Sequence, residues 1–378
     1  MPLSTVAAAI FWLSSGILFF TFLGYGLGMK ALARWRNRPL SSPANDAPQP
    51  SVCVILSARN AETGIVARLE NLRQSNYPSD KLRILLVSDG STDSTVTRVE
   101  SLADPRIEII ALPTSGGKAH ALNLAFARST AEIVVLTDAR QQFAPDAIAR
   151  LVRHFSDPAI GAVSGALEIA AATSTAGAGV DAYWRFEKAL RAAESRYDSC
   201  IGCTGAIYAV RRACFRPIPA DTILDDVVIP MQIALQSQRV IHDPAIHAFD
   251  PQPLDPRSEQ RRKQRTLAGN FQMLFRHPHW LNPAKNRLWL QLIAHKYLRL
   301  TAPFWLVACL VSSAILFRHP FYAVSFAAQV ALYLLALLGL VVKRGRLFTL
   351  PAAFVFLNIM TLRGAWHYFA GTYQRGWR

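Results

Sequence analysis

Polar and charged residues gather at the ends of four short apolar runs, and their types suit the handling of a charged leaving group. The first run ends in Ser57-Ala58-Arg59-Asn60-Ala61-Glu62 and the second in Ser88-Asp89-Gly90-Ser91-Thr92-Asp93. The third leads into Ser115-Gly116-Gly117-Lys118-Ala119-His120, and the fourth ends in Thr137-Asp138-Ala139-Arg140. A Gly-Gly-Lys stretch that opens a helix can present backbone N–H groups and one ammonium to a phosphate. Further on, Asp225-Asp226 follows Leu224 and opens another helix. A carboxylate beside an attacking hydroxyl can take its proton, a contribution of about 10²–10⁴ in rate. Plainer roles exist for each residue. Asp89 could be a turn or capping residue, Lys118 a solvated lysine, and Asp225-Asp226 a helix cap favoured by the dipole.

Two phosphate-binding designs are excluded. A dinucleotide fold wants G-x-G-x-x-G after its first strand, and the chain reads Ser-Ala-Arg-Asn-Ala-Glu-Thr-Gly there. A Walker A loop needs Gly five positions before its Gly-Lys pair; Leu112 stands at that position, and Ala119 replaces the Ser or Thr.

These residues need a scaffold that brings strand ends together. Residues 52–57, 82–87, 107–111 and 133–137 read as short β-rich strands. Helical spacing over 61–74, 92–102 and 118–128 follows the first three. That alternation predicts an α/β fold with a mainly parallel sheet covered on both faces, and ligands beyond the carboxyl ends of its strands. Residues 180–197 and 225–236 read as further helices, with 239–241 and 246–249 as edge strands. Residues 39–50, rich in Pro, Ser, Ala and Asn, read as a linker.

The chain has 378 residues, with 41 Lys and Arg against 25 Asp and Glu, a formal charge of +16. Nucleic acid, membrane surface and anionic small ligands all suit a basic chain. Uncharged runs at 2–29, 300–317 and 320–342 favour the membrane, because a crossing needs roughly 20 apolar residues. The run 347–362 is shorter and carries Pro351 and Asn358, so it reads as a fourth crossing or an in-plane segment. The first run is long for a signal peptide and has no basic residue before it, so it reads as a retained anchor. Basic clusters at Lys30 to Arg38, at Arg287, Lys296 and Arg299, and at Lys343 to Arg346 share one side if the central region is cytoplasmic. Arg363, Arg375 and Arg378 fall on the other side if the last segment crosses fully. Five cysteines, an odd number, fit a reducing compartment, and Cys200-x-x-Cys203 lacks the second pair that a metal site needs.

The ordered set SARNAE, VSDGSTD, SGGKAHALN, LTDAR, CTGAIYAVRR, ILDDVVIP and RRKQRTLAGN, running from about Ser51 to Asn270, resembles family 2 glycosyltransferases. The likeness is to the membrane type related to cellulose, chitin and hyaluronan synthases. It implies a GT-A-like domain flanked by transmembrane helices, and inverting transfer of a sugar from a nucleotide sugar, UDP-linked as first expectation. It places Asn60, Glu62, Asp89, Lys118, Asp138, Arg140, Arg262 and Arg265 on the donor. Asp226 becomes the base with Asp225 its neighbour, and Thr204, Gly205 and Trp184 stand on the acceptor side. Asp138 matches the first Asp of the family's DxD, which holds the metal. Arg140 stands at the third position; an Arg does not ligate a cation but can neutralise a diphosphate. The expected cofactor is Mg2+ or Mn2+, held by Asp138 and phosphate oxygens. The family's Q-x-x-R-W reads Arg262-Lys263-Gln264-Arg265-Thr266 here, so its acceptor-stacking Trp is replaced.

The implied organisation is a transmembrane helix at 1–29, a linker at 30–50, the GT-A domain at 51–255, a basic interfacial segment at 256–286, and a membrane region of two or three helices at 287–378. The expected partners are a nucleotide sugar, a saccharide or lipid-linked acceptor and the lipid bilayer, with no nucleic acid. The expected place is the cell inner membrane, multi-pass, with a cytoplasmic catalytic domain, in polysaccharide or glycolipid biosynthesis. The competing expectation is a catalytically inactive membrane protein that binds a nucleotide sugar or a partner synthase.

Overall fold

The computed structural model describes residues 2–40, 49–169, 177–251, 256–342 and 345–373. A long helix, α1 (Leu3–Trp35), comes first. The alternating unit follows: β1 (Val52–Ala58), α2 (Ile65–Arg73), β2 (Leu82–Asp89), α3 (Thr95–Glu100), β3 (Ile107–Leu112), α4 (Lys118–Arg128) and β4 (Ile133–Asp138). Then come β5 (Gln142–Phe143), α5 (Ala147–Arg153), β6 (Ile160–Ile169), α6 (Gly177–Tyr197), β7 (Tyr208–Arg211), α7 (Asp225–Leu235) and β8 (Arg239–Asp250). The basic helix α8 (Pro256–Arg276) leads to α9 (Trp289–Ile315), α10 (Pro320–Val342) and α11 (Arg346–Phe369).

The eight strands form one sheet in the order β3-β2-β1-β4-β7-β6-β8-β5. β1 runs parallel to β2 and β4, as the alternation of strand and helix predicts. Its seven residues are all buried, the mark of a strand covered on both faces. Successive side chains point to opposite faces, so the core divides in two. Ile55, Leu85 and Val134 meet α4 and α7, while Val54, Leu86 and Val135 meet α2 and α5. Each such side chain contributes about 1.5–3 kcal/mol by leaving water.

The second half departs from expectation. The two edge strands read at 239–241 and 246–249 are one strand, β8, and it lies inside the sheet between β6 and β5. Its register to β6 slips between Ser164↔His242 and Ala166↔His247, where Pro244 and Ala245 loop out to solvent. That bulge hides the continuity of the strand from any periodicity.

The N-terminal helix runs past Met29 to Trp35, into residues expected to be linker; residues 41–48 lie outside the described residues. Helices α1, α9, α10 and α11 are each long and apolar enough to cross a membrane. α11 carries Pro351 inside it without ending there. The Asn358 side-chain amide donates to the Phe354 carbonyl (2.9 Å), so this polar group is satisfied within its own helix. α1 packs along α9, α10 along α11, and α11 along the basic helix α8.

Candidate active site

Parallel pairing sets the strand ends level. Ser57 stands opposite Asp138 and Ala58 opposite Ser88, so the loops after β1, β2 and β4 open into one crevice. The residues expected there divide into those that build the crevice and those that face into it.

Asp89 builds. It is fully buried, and its carboxylate accepts from the Ser115 hydroxyl (2.7 Å) and from the amides of Gly116 (2.7 Å) and Gly117 (2.9 Å). Asp89, expected on the donor, has a loop-pinning role in this structure. The amides of Gly116 and Gly117, expected to face a phosphate, are spent on that carboxylate, and the anion-binding amides left are those of the first turn of α4. Gly90 makes the close approach possible: at φ +66, a Cβ there would sit 2.6 Å from the Ser115 nitrogen. Asn60 and Glu62 also join loops. Asn60 Oδ1 accepts from the Thr92 amide (2.9 Å), and Glu62 Oε2 accepts from the Ser94 amide (3.0 Å).

Lys118, Asp138, Asp225 and Asp226 come together as expected. The Lys118 ammonium, at the first position of α4, lies 3.0 Å from Asp138 Oδ1 and 3.2 Å from Asp225 Oδ2. Burial alone would lower its pKa, but Asp138, Asp225 and Asp226 outweigh burial and hold it above the usual lysine value. Asp226 is pushed up to about 6, by burial first and by Asp225 second, against the charges of Lys118, Lys296 and Arg191. A carboxylate that titrates near neutrality is suited to accept a proton.

The segment after α6 floors this cluster. The Cys203 amide donates to the Asp226 carbonyl (2.8 Å), and the Thr204 amide donates to the Ser164 hydroxyl (2.8 Å). A Cβ on Gly205 would stand 3.1 Å from Asp226 Oδ2. Gly205→Ala is therefore expected to crowd the carboxylate, lowering kcat about tenfold with the donor KM unchanged. Initial-rate kinetics with saturating donor check this; an unchanged kcat removes Gly205 from the site.

Arg140 is engaged elsewhere. Its guanidinium donates to Asp250 Oδ2 (2.5 Å), a carboxylate that also accepts from the Gln141 amide (3.2 Å). The charge expected to neutralise the diphosphate is thus shared with a buried Asp at the end of β8. Trp184 lies on α6, but its side chain falls outside the described residues. On α8, Arg265 is exposed, and the Arg262 carbonyl accepts from the Thr266 hydroxyl (2.9 Å).

Two supporting residues were not legible beforehand. Arg68 on α2 is 2% exposed, stacks on Phe143 and donates to the Thr137 hydroxyl (2.8 Å), which itself donates to the Ala206 carbonyl (2.8 Å). Burial brings its pKa down to about 9, with Asp138 opposing. Arg191 on α6 donates to the Thr204 hydroxyl (3.3 Å). Both looked like ordinary polar positions on amphipathic helices.

Comparison with known proteins agrees with this fold. The family model described as glycosyl transferase family 2 matches residues 53–218. An N-acetylglucosaminyltransferase of Rhizobium meliloti (strain 1021) is 32% identical over 188 residues, 47% of this chain and 44% of that protein. A beta-monoglucosyldiacylglycerol synthase of Synechocystis sp. is 29% identical over 174 residues, 43% of this chain and 36% of that protein. The matched region thus spans less than half the length of either relative. Among solved structures, a mannosyltransferase, PcManGT from Pyrobaculum calidifontis in complex with GDP-Man and Mn2+, superposes with a TM-score of 0.74 at 24% identity. That likeness covers 97% of this chain and 99% of that one, and it shows the fold.

Proposed function

Since the chain carries a family 2 glycosyltransferase domain on a GT-A-like fold, we propose that it transfers a sugar, with inversion, from a nucleotide-sugar donor to a saccharide or lipid-linked acceptor. One observation carries the reading: Lys118 holds Asp138, at the end of β4, and Asp225, at the start of α7, together, with Asp226 next in the chain and close to Gly205. The first turn of α4 and the Lys118 ammonium receive the diphosphate of a UDP-sugar or related donor. Asp226 takes the proton of the attacking acceptor hydroxyl, and the bond from the anomeric carbon to the diphosphate breaks on the opposite face. Lys118 stays close to the leaving oxygens, where negative charge grows.

The donor chemistry fits a divalent cation held mainly by substrate. Asp138 is a single, partly exposed carboxylate, and among the described residues no group of three or more His, Cys, Asp or Glu forms a cage. Mg2+ and Mn2+ bind nucleotide diphosphates in this way, through one or two carboxylates plus phosphate oxygens. Asp138 would hold the ion, which supplies positive charge to the diphosphate.

The four apolar helices place the reading at a bilayer. Tyr25, in the C-terminal third of α1, and His295, near the start of α9, both bond Glu194 of α6, which supports putting the C-terminal end of α1 and the N-terminal end of α9 on the catalytic side of the membrane. The basic residues Lys30 and Arg34 there support a cytoplasmic catalytic side, and the membrane of this reading is a cell inner membrane.

The test is a donor panel of UDP-glucose, UDP-N-acetylglucosamine and GDP-mannose with the detergent-purified full chain, read as released nucleotide. Release from one of these donors, raised by a saccharide or glycolipid acceptor, is expected. No release from any donor with either metal, at any acceptor, overturns the reading.

A further inference from the structure

A buried ionic network sits where α1, α6 and α9 cross. His295 of α9 is 1% exposed, and both ring nitrogens face carboxylates: Nδ1 lies 2.8 Å from Glu194 Oε1 and Nε2 lies 2.6 Å from Glu187 Oε1. Carboxylates only accept, so the arrangement is satisfied when both nitrogens carry protons. The Tyr25 hydroxyl of α1 donates to Glu194 Oε1 (2.5 Å), and Arg299 of α9 donates to Glu187 Oε2 (3.2 Å). Glu187 and Glu194 are 4% and 0% exposed.

A buried ionic cluster is weak grounds for stability, because desolvating its charges offsets most of their attraction. Its position suggests another role. Both membrane helices bend from regular α-geometry to reach it. A π-helical turn covers Phe20–Gly24, directly before Tyr25, and a second covers Ile293–Tyr297, with His295 at its middle. The two π-turns touch. Such turns re-aim side chains and recur at functional sites.

From this network a chain of contacts leads to the base. Glu187 Oε1 also lies 3.6 Å from Arg191 Nε, one turn along α6. Arg191 donates to Thr204, and the neighbouring Cys203 amide holds the Asp226 backbone. We infer that His295 is a positioning residue for Asp226: by neutralising Glu187 it leaves Arg191 free to act on Thr204 and Asp226, and so ties the base to the seating of α1 and α9. The inference rests on the proposed transfer reaction.

The largest charges that bear on Asp226 come from four elements: Asp225 on α7, Lys118 on α4, Lys296 on α9 and Arg191 on α6. Those that bear on Glu187 include His295, Arg299 and Arg191, and Lys296, which also faces Asp226. His295→Gln removes the imidazole that bonds both Glu187 and Glu194, so Glu187 draws more on Arg191 and Asp226 loses part of a counter-charge. The acidic limb of the kcat/KM profile should then move to higher pH, by about half a unit or more. Glu187→Gln removes the competitor, and the limb should move to lower pH. The double variant should return close to wild type.

All are measured on the full chain in detergent, with UDP binding by calorimetry and thermal unfolding alongside. UDP affinity within about twofold of wild type shows that the donor side is intact. Opposite shifts in the two single variants support the inference. Limbs that stay put, shifts in the same direction, or variants that all unfold show a structural role and overturn it. If those results come with active wild type and inert Asp226→Asn, the transfer reading stands and only the His295 role falls. A wild type without transfer overturns both.

Discussion

Asp226→Asn is expected to lower kcat about 10²–10⁴-fold while UDP affinity stays near wild type, because the change removes the proton acceptor and leaves Lys118 in place. The pH profile gives a sharper test. Burial and Asp225 raise the Asp226 carboxyl to about 6, so if Asp226 is the base it is protonated and idle at lower pH. Log kcat/KM should climb with unit slope up to about 6 and then level. Stability runs the other way. Unfolded, the group titrates near 4; between about 4 and about 6 the folded state holds the extra proton, so stability falls as pH rises through that interval. The Asn variant lacks this loss. Its thermal midpoint should therefore exceed that of wild type at pH 7.5, and the difference should vanish near pH 4. A variant that keeps full transfer rate, or that melts lower at pH 7.5, would remove Asp226 as a buried ionised base.

The first half of the fold was legible because every strand there is a buried apolar run closed by a polar cluster. β1, β2, β3 and β4 fall within two residues of their expected ends, since parallel pairing puts chemistry at the strand termini and hydrophobicity between them. β6, β7 and the continuity of β8 were not legible. β7 runs antiparallel to both β4 and β6, and the bulge at Pro244, where β8 pairs with β6, splits one strand into two apparent fragments. The site divides similarly. Lys118, Asp138, Asp225 and Asp226 were recognisable because their types suit a charged reaction. Asp89, Asn60 and Glu62 were recognisable by motif, but a motif does not say whether a carboxylate faces a ligand or a backbone amide. Here the loops after β1, β2 and β3 need fastening, and these side chains do it. Arg68, Arg191 and His295 carried no signal, because each acts across a helix contact distant in sequence.

Lys118→Ala should be the most damaging single change on the donor side. Lys118 is mostly buried and is the cation that Asp138 and Asp225 share. Without it the diphosphate loses its nearest positive side chain, and kcat/KM for the donor should fall about 10²–10³-fold, the usual loss for one preorganised electrostatic contact. Asp226 also loses a counter-charge, so the acidic limb should move above its wild-type position. Lys118→Arg keeps the charge and should recover part of the loss. Breaking a buried ion pair from one side leaves uncompensated charge, a cost of about 3–5 kcal/mol, so the Ala variant should melt below wild type. Asp226→Asn and Lys118→Ala thus inactivate the same crevice yet shift the melting midpoint in opposite directions, because one removes surplus negative charge and the other removes what balances it. Equal donor kcat/KM in Lys118→Ala and wild type, within about threefold, would place the diphosphate elsewhere.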